Sequence, residues 1–120
     1  MYSETHELLI DSIFSLRSWC IDNLPIENSL IAYDLILLLS IHNYSQGQIT
    51  VKQLFASVPY SYTAVRSHYL RLLEDGWIEL HPDHKDKRIK YVRPTQKLVK
   101  MMNLYATTTK RLFTNKDKAK

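Results

Sequence analysis

The hydrophobic period changes twice in the second half of the chain, and that change constrains the fold more than any single motif. Up to Asp75 the apolar residues recur at helical spacing; between Trp77 and Arg93 they alternate, and after Thr95 the helical period returns. Ile78 and Leu80 share one face with Glu79 opposite, and Arg88-Ile-Lys-Tyr-Val-Arg93 alternates around β-branched and aromatic residues. Joined by Pro82-Asp-His-Lys-Asp-Lys87, these runs predict one β-hairpin in an otherwise helical chain. The expected fold class is mainly α with a small hairpin, α+β in kind.

The helices can be placed from their stripes and caps. Leu9, Ile13, Leu16 and Cys20 fall at i, i+4, i+7 and i+11, with Phe14 and Trp19 widening the stripe. Residues 3–21 therefore predict an amphipathic helix, ended by the Asp-Asn-Leu-Pro turn at 22–25. A second helix is expected from Asn28 as N-cap to Ile41 or His42, apolar nearly all round and hence central, with Gly47 punctuating the loop that follows. Thr50 with Gln53 reads as a capping box, whose helix Pro59 ends by about Val58. Ser61 caps the next helix, Tyr62 to Asp75, which buries Val65, Tyr69, Leu72 and Leu73 and meets Gly76 at its C-cap. Thr95 opens a last helix over 95–114 with Leu98, Met101, Met102, Tyr105 and Leu112 on one face.

Charge is divided unevenly. Residues 1–59 hold two cations and six acids, net −4, whereas residues 60–120 hold fourteen cations and six acids, net +8. Such a division suits an anionic partner for the second half. The plainer reading is a solvated basic surface with a lysine-rich end (Lys110, Arg111, Lys116, Lys118, Lys120). Other classes fall away. With 45% hydrophobic residues, two Gly and four Pro, the composition is that of one folded, helix-leaning domain over 1–120. The lone Cys20 excludes a disulfide framework and suits a reducing compartment. The greasy run Leu30 to Ile41 is too short to span a membrane and contains Asp34, and the first residues lack a secretory pattern, so a cytoplasmic location without membrane contact is expected. No Gly-rich phosphate loop or nucleophile elbow is present, so no enzyme is expected. His81, Asp83, His84 and Asp86 lie close enough to suggest a metal site, but the neighbouring cations repel a divalent ion; neither metal nor cofactor is expected.

A short capped helix, a tight turn and a second helix with a polar outer face make residues 50–75 a helix-turn-helix. With the hairpin over 77–94 as its wing and helices on either side, the order of elements is that of a winged helix-turn-helix. Leu72-Leu-Glu-Asp-Gly-Trp-Ile78 resembles the Leu-Glu-x-x-Gly-Leu-Ile run of the MarR family of bacterial transcription regulators, with the Leu-Glu pair displaced by one. Asp86-Lys-Arg88 resembles that family's Asp-x-Arg wing motif, and Val92-Arg-Pro-Thr95 its strand end before a Thr-capped helix. The resemblance covers about residues 28–105, with Leu98 standing where many members have Gly and Pro94 where they usually have Leu.

A recognition helix lies in the major groove with its N-terminal side chains toward base edges. Here it offers Ser61, Tyr62, Thr63, Arg66 and Ser67, then His68 and Arg71, with Arg66 able to donate bidentately to guanine. The structural alternative packs Tyr62 on the wing and pairs Arg71 with an acid such as Glu74. On the wing, Lys85, Lys87, Arg88 and Lys90 suit phosphate, and Arg88 beside the tip suits a narrow minor groove. The resemblance implies the same role for Arg88 and makes Asp86 the carboxylate that orients it. The expected function is a sequence-specific transcription regulator binding double-stranded DNA. A winged-helix protein-interaction module and a non-specific DNA-binding accessory protein are the alternatives. One winged helix makes few base contacts, so a homodimer is expected, using Leu9, Ile13 and Leu16 of the first helix and Leu98, Met101, Met102 and Tyr105 of the last. The resemblance also admits a small aromatic acid as effector, though no residue here specifies its pocket.

Overall fold

Five helices and one hairpin form along residues 1–118, the part of the chain that the structure, a computed structural model, describes; side chains are described to Thr114. Of the lysine-rich end, the side chains of Lys116 and Lys118 and the whole of Lys120 lie outside the described residues. In order the elements are α1 (Glu4–Asn23), α2 (Leu30–Tyr44), α3 (Val51–Ala56), α4 (Tyr62–Glu74), β1 (Ile78–Pro82), β2 (Lys90–Pro94) and α5 (Gln96–Lys118). They form two compact units, one of Pro25–Lys100 and one of Met1–Leu24 with the chain from Met101 onward. Among the described residues no helix is long and apolar enough to cross a membrane.

The unit Pro25–Lys100 is built on α2, which packs on α4 and β2. Ala32, Leu35, Ile36 and Leu39 of α2 meet a core that includes Leu54, Val65, Leu72, Ile78, Val92 and Leu98, all nearly without exposed surface. Full burial of one such side chain contributes about 1.5–3 kcal/mol, and Leu54 is the residue that the six-residue α3 buries. Leu98 corrects one sequence expectation. It has no exposed surface to offer a second chain and belongs to this core.

Caps place α3 and α4. Thr50 and Gln53 form the full capping box, with Thr50 N–H donating to Gln53 Oε1 at 2.9 Å and Gln53 N–H to Thr50 Oγ1 at 3.0 Å. Ser61 Oγ accepts from Ala64 N–H at 3.3 Å to open α4. At its other end Gly76 takes φ +77°, which lets Trp77 N–H reach Leu72 O at 2.9 Å and closes the helix. Two expected boundaries differ. Asn28, read as the cap of α2, sits in the left-handed region (φ 62°), and Ser29 with extended backbone caps instead. The helix then runs on to Tyr44, where Gln46 rather than Gly47 supplies the left-handed turn (φ 61°).

β1 and β2 pair antiparallel, with Leu80 opposite Val92 and His81 opposite Tyr91. A bridge between Thr50 and Tyr91, with Val92 N–H donating to Ile49 O at 2.9 Å, ties the start of α3 to β2. Arg88 and Ile89, expected in the second strand, belong to the tip, where Ile89 N–H donates back to Asp86 O at 3.0 Å. Thr95 opens α5, its hydroxyl donating to Gly76 O at 2.7 Å and accepting from Leu98 N–H at 3.4 Å.

The other unit consists of α1 and the later part of α5. Trp19 and Tyr105 stack with centroids 5.9 Å apart, and the buried Ser12 hydroxyl donates to Leu8 O and, at 3.5 Å, to Leu112 O. Terminal helices thus pack within one chain. Even so, Ile10, Ile13, Phe14 and Ile21 of α1 and Leu104 of α5 remain exposed.

Candidate nucleic-acid interface

A groove opens between α3, α4 and the wing. Four cations line it: Lys52 of α3, Arg66 of α4, and Arg88 and Lys90 of the wing. Its floor is apolar and aromatic, including Phe55, Tyr62 and Leu80. Ring contacts join α3 to α4, with Phe55 5.3 Å from Tyr62 and 5.2 Å edge-on from Tyr69. Burial pushes the Tyr69 phenol above its ordinary value, as suits a ring serving as core. The turn before α4 is tied down separately: the Tyr60 hydroxyl donates to Asp34 Oδ2 of α2 at 2.7 Å.

α4, the expected recognition helix, presents two kinds of surface. Ser61, Tyr62, Thr63, Arg66 and Ser67 are exposed, and Arg66 makes no ion pair among the described residues. Tyr62 rests on Phe55 of α3. His68 and Arg71 are half-buried and turned toward the N-terminus of α2. His68 Nε2 is 3.1 Å from Ser29 Oγ, and Arg71 Nη2 donates to His68 Nδ1 at 3.2 Å. Arg71 Nε pairs with Glu27 at 3.2 Å, not with Glu74 on its own helix. Desolvation, then the Arg71 charge, hold the His68 imidazole below its ordinary range, with Glu27 opposing.

Lys85, Lys87, Arg88 and Lys90 are all exposed on the wing. The Asp86 carboxylate accepts from Arg88 Nε and Nη2 at 3.0 Å each and from Arg88 N–H at 3.1 Å. Those bonds, the guanidinium first, hold the Asp86 carboxyl below the usual carboxylate range. The bidentate pair fixes the arginine's direction while its side chain stays 90% exposed. Three of the four residues near the tip have other partners: His81 bonds Glu79 at 2.8 Å, Asp83 accepts the backbone N–H groups of the tip, and Asp86 holds Arg88. Among the described residues no group of three or more His, Cys, Asp and Glu could hold a metal ion.

No family model matches the sequence, nor does any curated protein. Solved structures do match. The MepR–DNA complex of S. aureus superposes with a TM-score of 0.74 at 16% identity, over 98% of this chain and 92% of that one. The mutant MarR of E. coli complexed with operator DNA gives 0.61 at 18% identity, over 95% and 77% of the two chains. The transcriptional regulator Tm0710 of Thermotoga maritima gives 0.63 at 16%, over 91% and 69%. The fold is MarR-like.

Within this MarR-like fold, sequence reasoning missed Lys52. It carried a signal, as one of only two cations in the first 59 residues, and it stands two residues after the cap of α3. Of the expected dimerisation residues, Ile13 is exposed, Leu9, Leu16, Met101 and Met102 are half-buried, Tyr105 is stacked on Trp19, and Leu98 is core. Exposed Phe14 lies in the stripe read from the sequence, whereas exposed Ile10, Ile21 and Leu104 escaped it.

Proposed function

We propose that this protein is a transcription regulator that binds double-stranded DNA sequence-specifically as a homodimer. The recognition helix α4 enters the major groove and the wing reaches the minor groove. One observation carries the reading: Arg66 and Arg88, with Lys52 and Lys90, converge on one face of a single compact unit, and Arg88 is aimed outward by its own carboxylate. Two proteins of the same fold were solved with DNA, MepR as a DNA complex and a mutant MarR with operator DNA, which supports the assignment. In this reading Ser61, Thr63, Arg66 and Ser67 meet bases or phosphates, while Lys85, Lys87 and Lys90 meet phosphates. His68 and Arg71 take a lesser part because their polar atoms are already engaged. It is a cytoplasmic binding protein rather than an enzyme.

The deciding experiment is selection of binders from random duplexes at two salt concentrations. A recovered consensus supports the regulator. Uniform binding with a steep salt slope would make it a non-specific accessory, and absence of binding would leave a protein-interaction module.

The dimer rests on the apolar side chains that α1 and α5 leave exposed after packing together, above all Phe14 (71% exposed) and Ile13 (57%). Surface of this kind usually marks an interface. Sedimentation at micromolar concentration is expected to show a species of twice the 14.2 kDa chain mass. A species at the chain mass, unchanged by added DNA, removes the homodimer.

A further inference from the structure

The wing tip is organised around a carboxylate that the charge pattern does not single out. Asp83 Oδ2 accepts the backbone N–H of Lys85 at 2.9 Å and of Asp86 at 3.0 Å, closing the turn. Its other oxygen accepts the Tyr91 hydroxyl at 2.8 Å, from the opposite strand. Tyr91 is itself anchored: its backbone bridges Thr50, the cap of α3, and the next residue's N–H donates to Ile49 O. A continuous line of contacts therefore runs from the cap of α3 through Tyr91 and Asp83 to the Asp86 backbone. From there the Asp86 carboxylate passes it to Arg88.

We propose that Asp83 and Tyr91 are positioning residues of the wing, setting the shape of its tip and, through Asp86, the direction in which Arg88 leaves it. The consequence for DNA rests on the function proposed above; the latch itself does not. The reason is preorganisation. Arg88 is almost wholly exposed, so among the described residues its bond to Asp86 is what restrains it, and that bond is no steadier than the turn carrying Asp86. A loosened tip must be ordered again at each binding event, which costs affinity without removing a contact. In support, the Asp83 carboxyl is held below the usual carboxylate range, by the Tyr91 hydroxyl first and the two backbone N–H groups next.

Plain electrostatics gives the opposite expectation. If Asp83 merely dilutes the wing's positive charge, removing it by any substitution tightens DNA binding. A positioning role makes Asp83→Ala weaken binding and lets Asp83→Asn keep most of it. The amide oxygen can still accept both N–H groups, and its NH2 can donate to the Tyr91 oxygen.

The test measures affinity for a duplex recovered by the selection, in single variants and in Tyr91→Phe combined with Arg88→Ala. Carboxyl titration of Asp83 by NMR in the DNA-free protein runs beside it. Tyr91→Phe is expected to weaken binding about three- to tenfold, the scale of one hydrogen bond of ordinary net strength. In the Arg88→Ala background it should cost nothing further, and the Asp83 midpoint should rise. Equal losses in both backgrounds, or tighter binding by Asp83→Ala, would overturn the proposal. Should Arg88→Ala bind like wild type, the DNA reading of the wing fails, and the titration alone decides the latch. An Asp83 midpoint unmoved by Tyr91→Phe then rejects it, and a raised one upholds it.

Discussion

The C-terminal half of the recognition helix and the tip of the wing each hold an arginine paired with a carboxylate, at 3.2 Å for Arg71 and 3.0 Å for Arg88. The pairs do opposite things. Arg71 reaches out of α4 to Glu27 in the loop before α2 and keeps 26% of its side chain exposed; Arg88 pairs with a residue two positions back and keeps 90%. A pair between distant segments ties the fold together and uses up the cation. A pair within one tight turn fixes a direction and leaves the outer face of the guanidinium free. Lying on α4 does not by itself leave a cation free for a ligand.

That contrast can be broken by substitution. Arg88→Ala should show the largest effect, weakening DNA binding by about 1–3 kcal/mol, the scale of a lost groove arginine, with thermal stability nearly unchanged. Wild-type affinity in an anisotropy titration at moderate salt would show that the wing arginine is oriented for something else. Arg66→Ala comes next, relaxing preference at one base pair by about 1–2 kcal/mol. Lys85→Ala or Lys87→Ala should instead weaken all duplexes alike and reduce the salt slope by about 1. Repeating the selection with each variant separates the two patterns, and uniform losses for all three would remove Arg66 from base reading.

Arg71→Ala should do the reverse of Arg88→Ala. Its partly exposed pair with Glu27 contributes no more than about 1 kcal/mol, so a small drop in melting temperature is expected with the selected consensus unchanged. A changed consensus with an unchanged melting point would place Arg71 among the base contacts after all.

The smallest effect is the pH dependence of the same cluster. His68 has a folded pKa below its ordinary 6.5, so the unfolded chain binds its proton more readily. The neutral imidazole's contribution is full above about 6.5 and is lost as pH falls through the lower folded value. Melting temperature should therefore decline on acidification from pH 7.5, and His68→Gln should flatten that decline. An equally steep decline in the variant would assign it to the carboxylates.

Much of the site's framework was legible because its signals act over three or four residues. Thr50 with Gln53, Ser61, Gly76 and Thr95 need only their own neighbours to satisfy a helix end, and each takes the place its chemistry suggests. The change of hydrophobic period likewise located the hairpin, because alternation and helical spacing follow from backbone geometry alone. The pairing of Asp86 with Arg88 was expected only through the resemblance of Asp86-Lys-Arg88 to a wing motif, and the two side chains do meet at 3.0 Å.

Tertiary structure decided what depends on distant backbone. Asn28 and Ser29 are both good caps, but the chain's approach to α2 puts Asn28 in the left-handed region and leaves Ser29 with the extended backbone a cap requires. Arg71 had Glu74 within reach along its own helix, yet the loop carrying Glu27 won it. Leu98 shares a stripe with Met101, Met102 and Tyr105, but periodicity defines a face without saying what that face meets. α5 contributes to two compact units, and its first turns are committed to the core of Pro25–Lys100. Asp83 and Tyr91 are the clearest case. Sequence separates them, strand pairing brings them within 2.8 Å, and no local rule could have joined a tyrosine on one strand to the turn that begins after the other.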